Sequence, residues 1–378
     1  MAKVIPCIVP LARSRGRTYV RRCRPMDDRF EQTALDLYEA QRAAVPAYDT
    51  WCTHELSQRA SDQVRTWRDI PALPIAAFKQ LEVWASDAPV AATWLSSGTT
   101  SDERSVHRLA DLAAYDAAID EGVHLALLPD VVARARDPLA CVQLQPDTHA
   151  APNSSLSYMF DRIRTSELCT DAGVFVGANY AVDQDGAWSR LEALAAVDQP
   201  VLVLATSFAL ALLFDAVRDA ERAPIQLPAG SRIVDTGGYK GRTRELIRPE
   251  LLARIESWLG VSEEWCENEY GMSELSSQAW LGTVADAAGY PLELADPHAR
   301  WTPSTLRVRV VDPISLEEVD DGEPGLLVFH DIANVHTCAA VRSEDIGIRR
   351  GDSFDLVGRA PGATLKGCSL RLEDVARS

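Results

Sequence analysis

Val201-Leu202-Val203-Leu204-Ala205 is an apolar run with no polar interruption. A strand wetted on one face alternates apolar and polar residues. A continuous run has both faces covered, which is the condition of a buried parallel strand. A helical pattern follows the run directly, as a parallel crossover requires. Ile233-Val234 leads into a turn at Thr236-Gly237-Gly238. Residues 306–311 alternate as a strand, and residues 325–330 read as another. Upstream, residues 28–70 read as helices, with Trp51, Leu56, Val64 and Trp67 on their apolar faces, until Pro71 and Pro74 break the pattern. Residues 90–95 read as a short strand and residues 110–128 as a helix. Strands alternating with helices predict an α/β fold with mixed sheets.

With 378 residues, 47% of them hydrophobic, the chain can bury a sizeable core. No internal repeat or low-complexity linker divides it. A formal net charge of −17 repels DNA, RNA and anionic lipid, so an anionic substrate must be met by a local basic or glycine-rich pocket. No apolar run reaches the roughly 20 residues that span a bilayer. Residues 1–25 carry Lys3, Arg13, Arg15, Arg17, Arg21, Arg22 and Arg24 and no acid. Their apolar patch precedes most of the charges, the reverse of a signal peptide, and a flexible basic arm is expected there. Eight scattered cysteines form no CxxC pair, which argues against a zinc knuckle or disulfide framework and for a reducing cytoplasm. Most should be small buried hydrophobes.

Four motifs carry potential chemistry. Ser96-Ser97-Gly98-Thr99-Thr100-Ser101 follows the short strand. Its glycine lets backbone approach a ligand, and its N–H and O–H donors suit phosphate oxygens. It lacks the Gly-Lys-Ser/Thr of a Walker A loop. Thr236-Gly237-Gly238 could let a planar ring approach closely. Glu269-Tyr270-Gly271-Met272-Ser273-Glu274 offers a stacking ring, a hydroxyl for phosphate and a carboxylate for magnesium. Asp345-Ile346-Gly347, with the later Gly358-Arg359, offers a carboxylate for ribose hydroxyls and a nearby cation. Read singly, these are also a Ser/Thr-rich turn, a tight turn, a surface turn with a helix cap at Ser273, and solvated charges. His107 reads equally as a substrate contact or a satisfied structural histidine. Lys79 reads as solvated, beside a buried Phe78. No HExxH or GxSxG is present, so metalloprotease and serine-hydrolase readings lack support.

In this order the four motifs resemble those of the adenylate-forming superfamily: acyl-CoA synthetases, luciferases and peptide-synthetase adenylation domains. A narrower resemblance is to the acyl-protein synthetases of bacterial bioluminescence. It rests on residues 73–79, on Ser96-Ser97-Gly98-Thr99-Thr100 with residues 104–107, on residues 154–159, on Gly237-Gly238-Tyr239-Lys240-Gly241, and on Lys366-Gly367-Cys368-Ser369-Leu370. The loop departs from the superfamily pattern in reading Ser101 where a glycine often closes it. Only 19 residues follow Arg359 (378 − 359), so the superfamily's large C-terminal lid is expected to be strongly reduced.

The resemblance implies a large adenylate-forming domain over residues 26–340 and a short segment, 341–378, carrying Asp345, Arg359 and Cys368. It implies ATP and Mg²⁺ as cofactors. The phosphates would lie against Ser96, Ser97, Gly98, Thr99 and Thr100. Adenine would lie between Tyr270-Gly271 and Gly237-Gly238, and the ribose on Asp345 near Arg359. Ser273 would contact the α-phosphate, Glu274 would hold Mg²⁺, and Lys366 is a candidate transition-state cation. A carboxylic acid, fatty by family, would become an acyl-AMP and pass to the Cys368 thiol. An acyl-consuming partner, such as a reductase of the acyl-CoA-reductase type, would take it from there. Transfer to coenzyme A, a carrier protein or an amine, and a non-catalytic nucleotide-binding scaffold, are the alternatives.

Overall fold

The computed structural model describes residues 26–59, 61–96, 104–237, 247–294, 296 and 298–360. Its strands are β1 (Leu73–Pro74), β2 (Ala92–Leu95), β3 (Val106–Leu109), β4 (Leu139–Leu144), β5 (Cys169–Val174), β6 (Val201–Thr206), β7 (Arg232–Thr236), β8 (Cys266–Tyr270), β9 (Ala279–Trp280), β10 (Leu306–Val311), β11 (Pro324–Asp331), β12 (Ala340–Arg350) and β13 (Ser353–Arg359).

A six-stranded sheet runs β5-β4-β6-β7-β8-β9, parallel except for its last pair. Its apolar residues divide between two faces. Val203, Ala205 and Ile233 pack under the helices Gln184–Ala196, Ser207–Asp219 and Arg248–Leu259, against Trp188, Leu210, Phe214 and Ile255. Leu202, Leu204 and Val234 face Trp94, Tyr115, Ile119, Phe160 and Ile163. The uninterrupted apolar run is therefore one strand covered on both sides. The helix after β6 starts at the strand's last residue, where Thr206 Oγ1 accepts from the Ala209 N–H at 3.1 Å.

The second sheet is built on β12, which pairs with β1 in parallel and with β11 and β13 in antiparallel; β10 completes it beside β11. Helices Met26–Ala44 and Pro46–Ser57 cover it, with Phe30, Tyr38, Tyr48 and Trp51 against Leu306, Val308, Leu327 and Phe329. Strand β12 runs across residue 341, where a short C-terminal segment was expected to begin, and pairs with β1, β11 and β13. Residues 300 and 301 join the two sheets, bridging to Phe354 and Trp280.

Helix is shorter than the periodicity predicts. The first two helices end at Ser57, and Trp67–Asp69 is a separate 3-10 turn. The Asp69 carboxylate accepts the Arg65 and Thr66 N–H groups at 3.0 and 2.8 Å, which holds that turn without a preceding helix. The helix expected over 110–128 is α-helical only over Ala113–Gly122 and continues as a π-turn over Val123–Leu127, closed by Leu128 N–H to Val123 O. No helix among the described residues is long and apolar enough to cross a membrane.

One buried ion pair ties β7 to the short helix Pro129–Val132. Arg232, fully buried, donates to Asp130 at 3.0 and 2.8 Å and to Leu127 O at 2.7 Å. Removing one partner strands the other charge in a low-dielectric interior. Asp130→Ala should cost about 3–5 kcal/mol in urea unfolding, and Asp130→Leu with Arg232→Met markedly less. Equal losses in both proteins would show that the lost contacts, rather than the stranded charge, set the cost.

Candidate functional site

The carboxyl ends of β6, β7 and β8 lie side by side and meet the second sheet. In open parallel sheets ligands bind in the crevice beyond these ends. Asp235 organises the edge. It takes an ion pair from Arg248 at 2.7 Å and hydrogen bonds from Asn268 Nδ2 at 2.7 Å and Ser207 Oγ at 3.3 Å. Ser207 Oγ also lies 3.0 Å from Gly237 O, so the start of a helix fixes the turn after β7. Gly237 adopts φ +71°, a region open to glycine, and no described atom lies within 4 Å of where its Cβ would stand. Gly238 lies outside the described residues.

Tyr270 ends β8. Its ring packs on Phe329 (centroids 5.6 Å apart) and edge-on to Phe354 (5.5 Å), with the Arg300 guanidinium 5.9 Å from its centroid. Its hydroxyl donates to Asp345 Oδ2 at 2.7 Å. Burial, with the Asp345 charge beside it, pushes that phenol well above its ordinary range, so it stays a donor. Asp345 stands opposite Arg359 in the β12–β13 ladder, and the exposed Arg359 Nε lies 3.4 Å from Oδ1. Tyr270, Asp345 and Arg359, scattered over 90 residues of sequence (359 − 270 + 1), thus share one corner. Ser97, Gly98, Thr99 and Thr100 lie outside the described residues. Ser96 closes the base of their loop: its N–H donates to Ser105 O at 3.1 Å and its Oγ accepts from Ser105 N–H at 2.9 Å.

Residues 271–274 form a turn that no helix follows, so Ser273 is not a helix cap. The turn is held from beneath. His107 Nδ1 lies 2.7 Å from Ser273 O, and Asn334 Nδ2 donates to Glu274 O at 2.9 Å. Asp331 Oδ2 accepts the Ser276 and Ser277 N–H groups, both at 2.8 Å. Asp331 and Asn334 carry no sequence signal, because they belong to a distant strand end and meet the turn only in the fold. Lys79 is exposed and Phe78 buried. Lys366 and Cys368 lie outside the described residues, as do Cys7 and Cys23. Of the other cysteines, Cys52, Cys141, Cys266 and Cys338 are buried. Burial pushes all four thiols up, Cys266 and Cys338 to about 12, so they are poor thiolates. A cavity of about 530 Å³ lined by Asp120, His124, Tyr158, Asp161 and Arg162 contains none of the motif residues. Asp120 and Asp161 there are already paired with Arg162 and Arg164.

His107 is fully buried and must be neutral. A carbonyl only accepts, so Nδ1 carries the proton, and Nε2 accepts from Thr337 Oγ1 at 3.1 Å. Burial, partly opposed by the Ser273 bond, lowers its pKa from 6.5 to about 4. A pKa depressed on folding gives stability that is complete above 6.5 and is lost as pH falls towards 4. Glu267 and Glu269, both pushed up to about 7 by burial, slope the other way, so the comparison must be between variants. On going from pH 6.5 to pH 4 the unfolding free energy of His107→Asn should change more favourably than that of the wild type, by on the order of 3 kcal/mol. Parallel pH curves for the two proteins would refute the buried neutral assignment.

Several solved structures share this architecture. An open conformation of 2-hydroxyisobutyryl-CoA ligase, in complex with 2-HIB-AMP and CoA, is 13% identical, covers 88% of this chain and 74% of its own, and superposes with a TM-score of 0.55. The same ligase in the postadenylation state, in complex with 2-HIB-AMP, gives 13% identity, 88% and 67% coverage and a TM-score of 0.54. ATP-bound MatB from Rhodopseudomonas palustris is 14% identical over 74% of this chain, with a TM-score of 0.47, and the chain spans 50% of its length. At such identities the likeness is one of fold, that of the adenylate-forming enzymes. No curated protein sequence matches the chain. The family model described as "Acyl-protein synthetase, LuxE" matches residues 28–376, nearly the whole sequence, and the chain therefore belongs to the LuxE acyl-protein synthetase family.

Proposed function

We propose that the chain uses ATP to activate a carboxylic acid, in this family a fatty acid, as an acyl-AMP, and passes the acyl group to its own Cys368. The observation that carries this reading is the corner formed by Tyr270, Asp345 and Arg359 beside the Gly237 turn. Tyr270 is only partly buried, which leaves ring surface for adenine. Asp345 spends one oxygen on the Tyr270 hydroxyl and keeps acceptor capacity for ribose hydroxyls. Ser96, Ser97, Gly98, Thr99 and Thr100 wrap the phosphates, and Ser273 meets the α-phosphate.

The Glu274 carboxylate is a hard oxygen donor, and magnesium is commonly bound by one or two carboxylates plus substrate phosphates, so the donor chemistry fits. Bound there, Mg²⁺ would offset charge on the phosphates. Asn334 and His107 fix the backbone of the turn that carries Glu274, which supports this reading. The substrate carboxylate attacks the α-phosphorus in line and pyrophosphate leaves. Alignment and charge neutralisation supply most of the acceleration. Lys366 is the candidate cation for this step.

The acyl-AMP then loses AMP to the Cys368 thiolate, forming a thioester that keeps enough activation for reduction or transfer. Two facts favour this cysteine. The family match runs through it, to residue 376. Four of the described cysteines are buried, and burial raises their thiol pKa. A protein thioester needs a consumer, and the reading includes an acyl-accepting partner, such as a reductase, in a reducing cytoplasm.

Carboxylate-dependent ATP–pyrophosphate exchange across a panel of acids tests activation. Glu274→Ala should lower exchange on the order of 10²–10³-fold while its unfolding curve stays cooperative. Wild-type exchange in that variant would remove Glu274 from the metal site. Cys368→Ser should retain exchange and lose the covalent acyl label, because a serine hydroxyl without a base is hardly ionised. The wild-type label should be released by neutral hydroxylamine. Equal labelling of both proteins would end the acyl-cysteine assignment and favour coenzyme A or a carrier thiol.

A further inference from the structure

Glu269 is a buried carboxyl group at the mouth of the crevice to which the mechanism above gives no task. It occupies the penultimate position of β8, directly opposite Thr236, the last residue of β7, so both side chains leave the same face of the sheet. Only 5% of it is exposed. Its two oxygens do different things. Oε2 accepts from the Thr236 hydroxyl, one residue before the Gly237 turn. Oε1 lies against the bare Cα of Gly271, and a Cβ there would collide with it. Gly271 is not among the residues of positive φ, so its conformation does not demand glycine. The neighbouring carboxylate, held by Thr236 through its other oxygen, would have to shift to admit a Cβ.

We infer that Glu269 is a positioning residue for nucleotide binding: its carboxyl group bridges the ends of β7 and β8 and sets the spacing between the Gly237 turn and the Tyr270-Gly271 turn. The inference rests on the nucleotide lying between those turns, as proposed above. Asp235 from β7, Tyr115 from the helix Ala113–Gly122 and Arg300 from the joining segment surround it. Burial, opposed by the Thr236 bond and Arg300 and reinforced by Asp235, pushes the Glu269 carboxyl up to about 7. Ionised, it must accept from Thr236. Protonated, it can donate instead, and the Thr236 hydroxyl proton is freed. Ionisation also adds a poorly screened negative charge beside a polyphosphate site, so ATP affinity should fall as pH rises through 7.

ATP binding measured by calorimetry needs no knowledge of the acid. A wild type that binds ATP but exchanges pyrophosphate with no acid would fail the activation reading alone. A wild type that binds no ATP would overturn the inference too. Glu269→Ala should weaken ATP about tenfold, the loss of one fixed contact, whereas Glu269→Gln, which keeps a hydrogen bond to Thr236, should stay within about threefold at pH 6. The decline in wild-type affinity between pH 6 and pH 8 should vanish in Glu269→Gln. Gly271→Ala should weaken ATP at least tenfold in the wild-type background and have almost no further effect beside Glu269→Ala, because the colliding oxygen is gone. If Glu269→Ala fails to fold, the pH profile of Glu269→Gln decides. An unchanged pH slope in Glu269→Gln, or an equal cost of Gly271→Ala in both backgrounds, would overturn the assignment.

Discussion

Everything in this molecule is arranged around the need to cover both faces of one parallel sheet. Strands β4, β6 and β7 are buried almost end to end, so their side chains must be apolar or, like Arg232 and Asp235, fully partnered, and their backbone groups paired within the sheet. Helices on both sides meet that need. The cost appears at the carboxyl ends, where the strands stop and polar groups emerge in a row: Ser207, Asp235, Thr236, Asn268 and Glu269. None can be left unpaired at that depth, and each has a partner.

The solution is a connected network rather than a set of separate bonds. Asp235 is shared by Arg248, Asn268 and Ser207, and Asn268 is in turn held by Arg300, which arrives on the segment linking the two sheets. The same linkage brings Phe354 and Phe329 of the second sheet against Tyr270 and places Asp345 under its hydroxyl. Beneath the following turn, His107 from β3, Asp331 at the end of β11 and Asn334 just after it fix its backbone groups. A turn held this way is preorganised: its backbone does not have to be ordered when a ligand arrives.

Charge follows the same logic. The chain as a whole is strongly acidic at −17, yet Arg248, Arg300 and Arg359 gather at this one edge. Each is engaged by an oxygen of the same edge: Arg248 by Asp235, Arg300 by Asn268 and Arg359 by Asp345. Arg300 is buried and its guanidinium pKa is lowered by desolvation, with Arg248 nearby, which marks how tightly these cations are packed into the crevice.

The alternation of Val201 to Ala205 with a helical pattern was enough to read an α/β fold, because continuous burial of a strand is written in local composition. The strand at 306–311 was legible from its alternation, although the fold buries five of its six residues, Arg307 among them. The glycine turn, the Tyr270 box, Asp345 and Arg359 were legible as residues, because each combines unusual chemistry with a turn. What local sequence did not reveal was that they meet: residues 270, 345 and 359 come together only when β12 pairs with β13 and both sheets join at 300–301. His107 left two readings open from sequence, and Asn334, Asp331 and Arg232 looked ordinary. Their importance comes from desolvation and from partners roughly 50 to 170 positions away, as with Asp331 and Ser276 or His107 and Ser273. Helix ends were misjudged as well: past Ser57 and Gly122 the backbone N–H groups of Gln58 and Val123 close the last α-helical turn, which periodicity does not show. Local pattern determines which elements can form; long-range pairing and burial determine which side chains share a site.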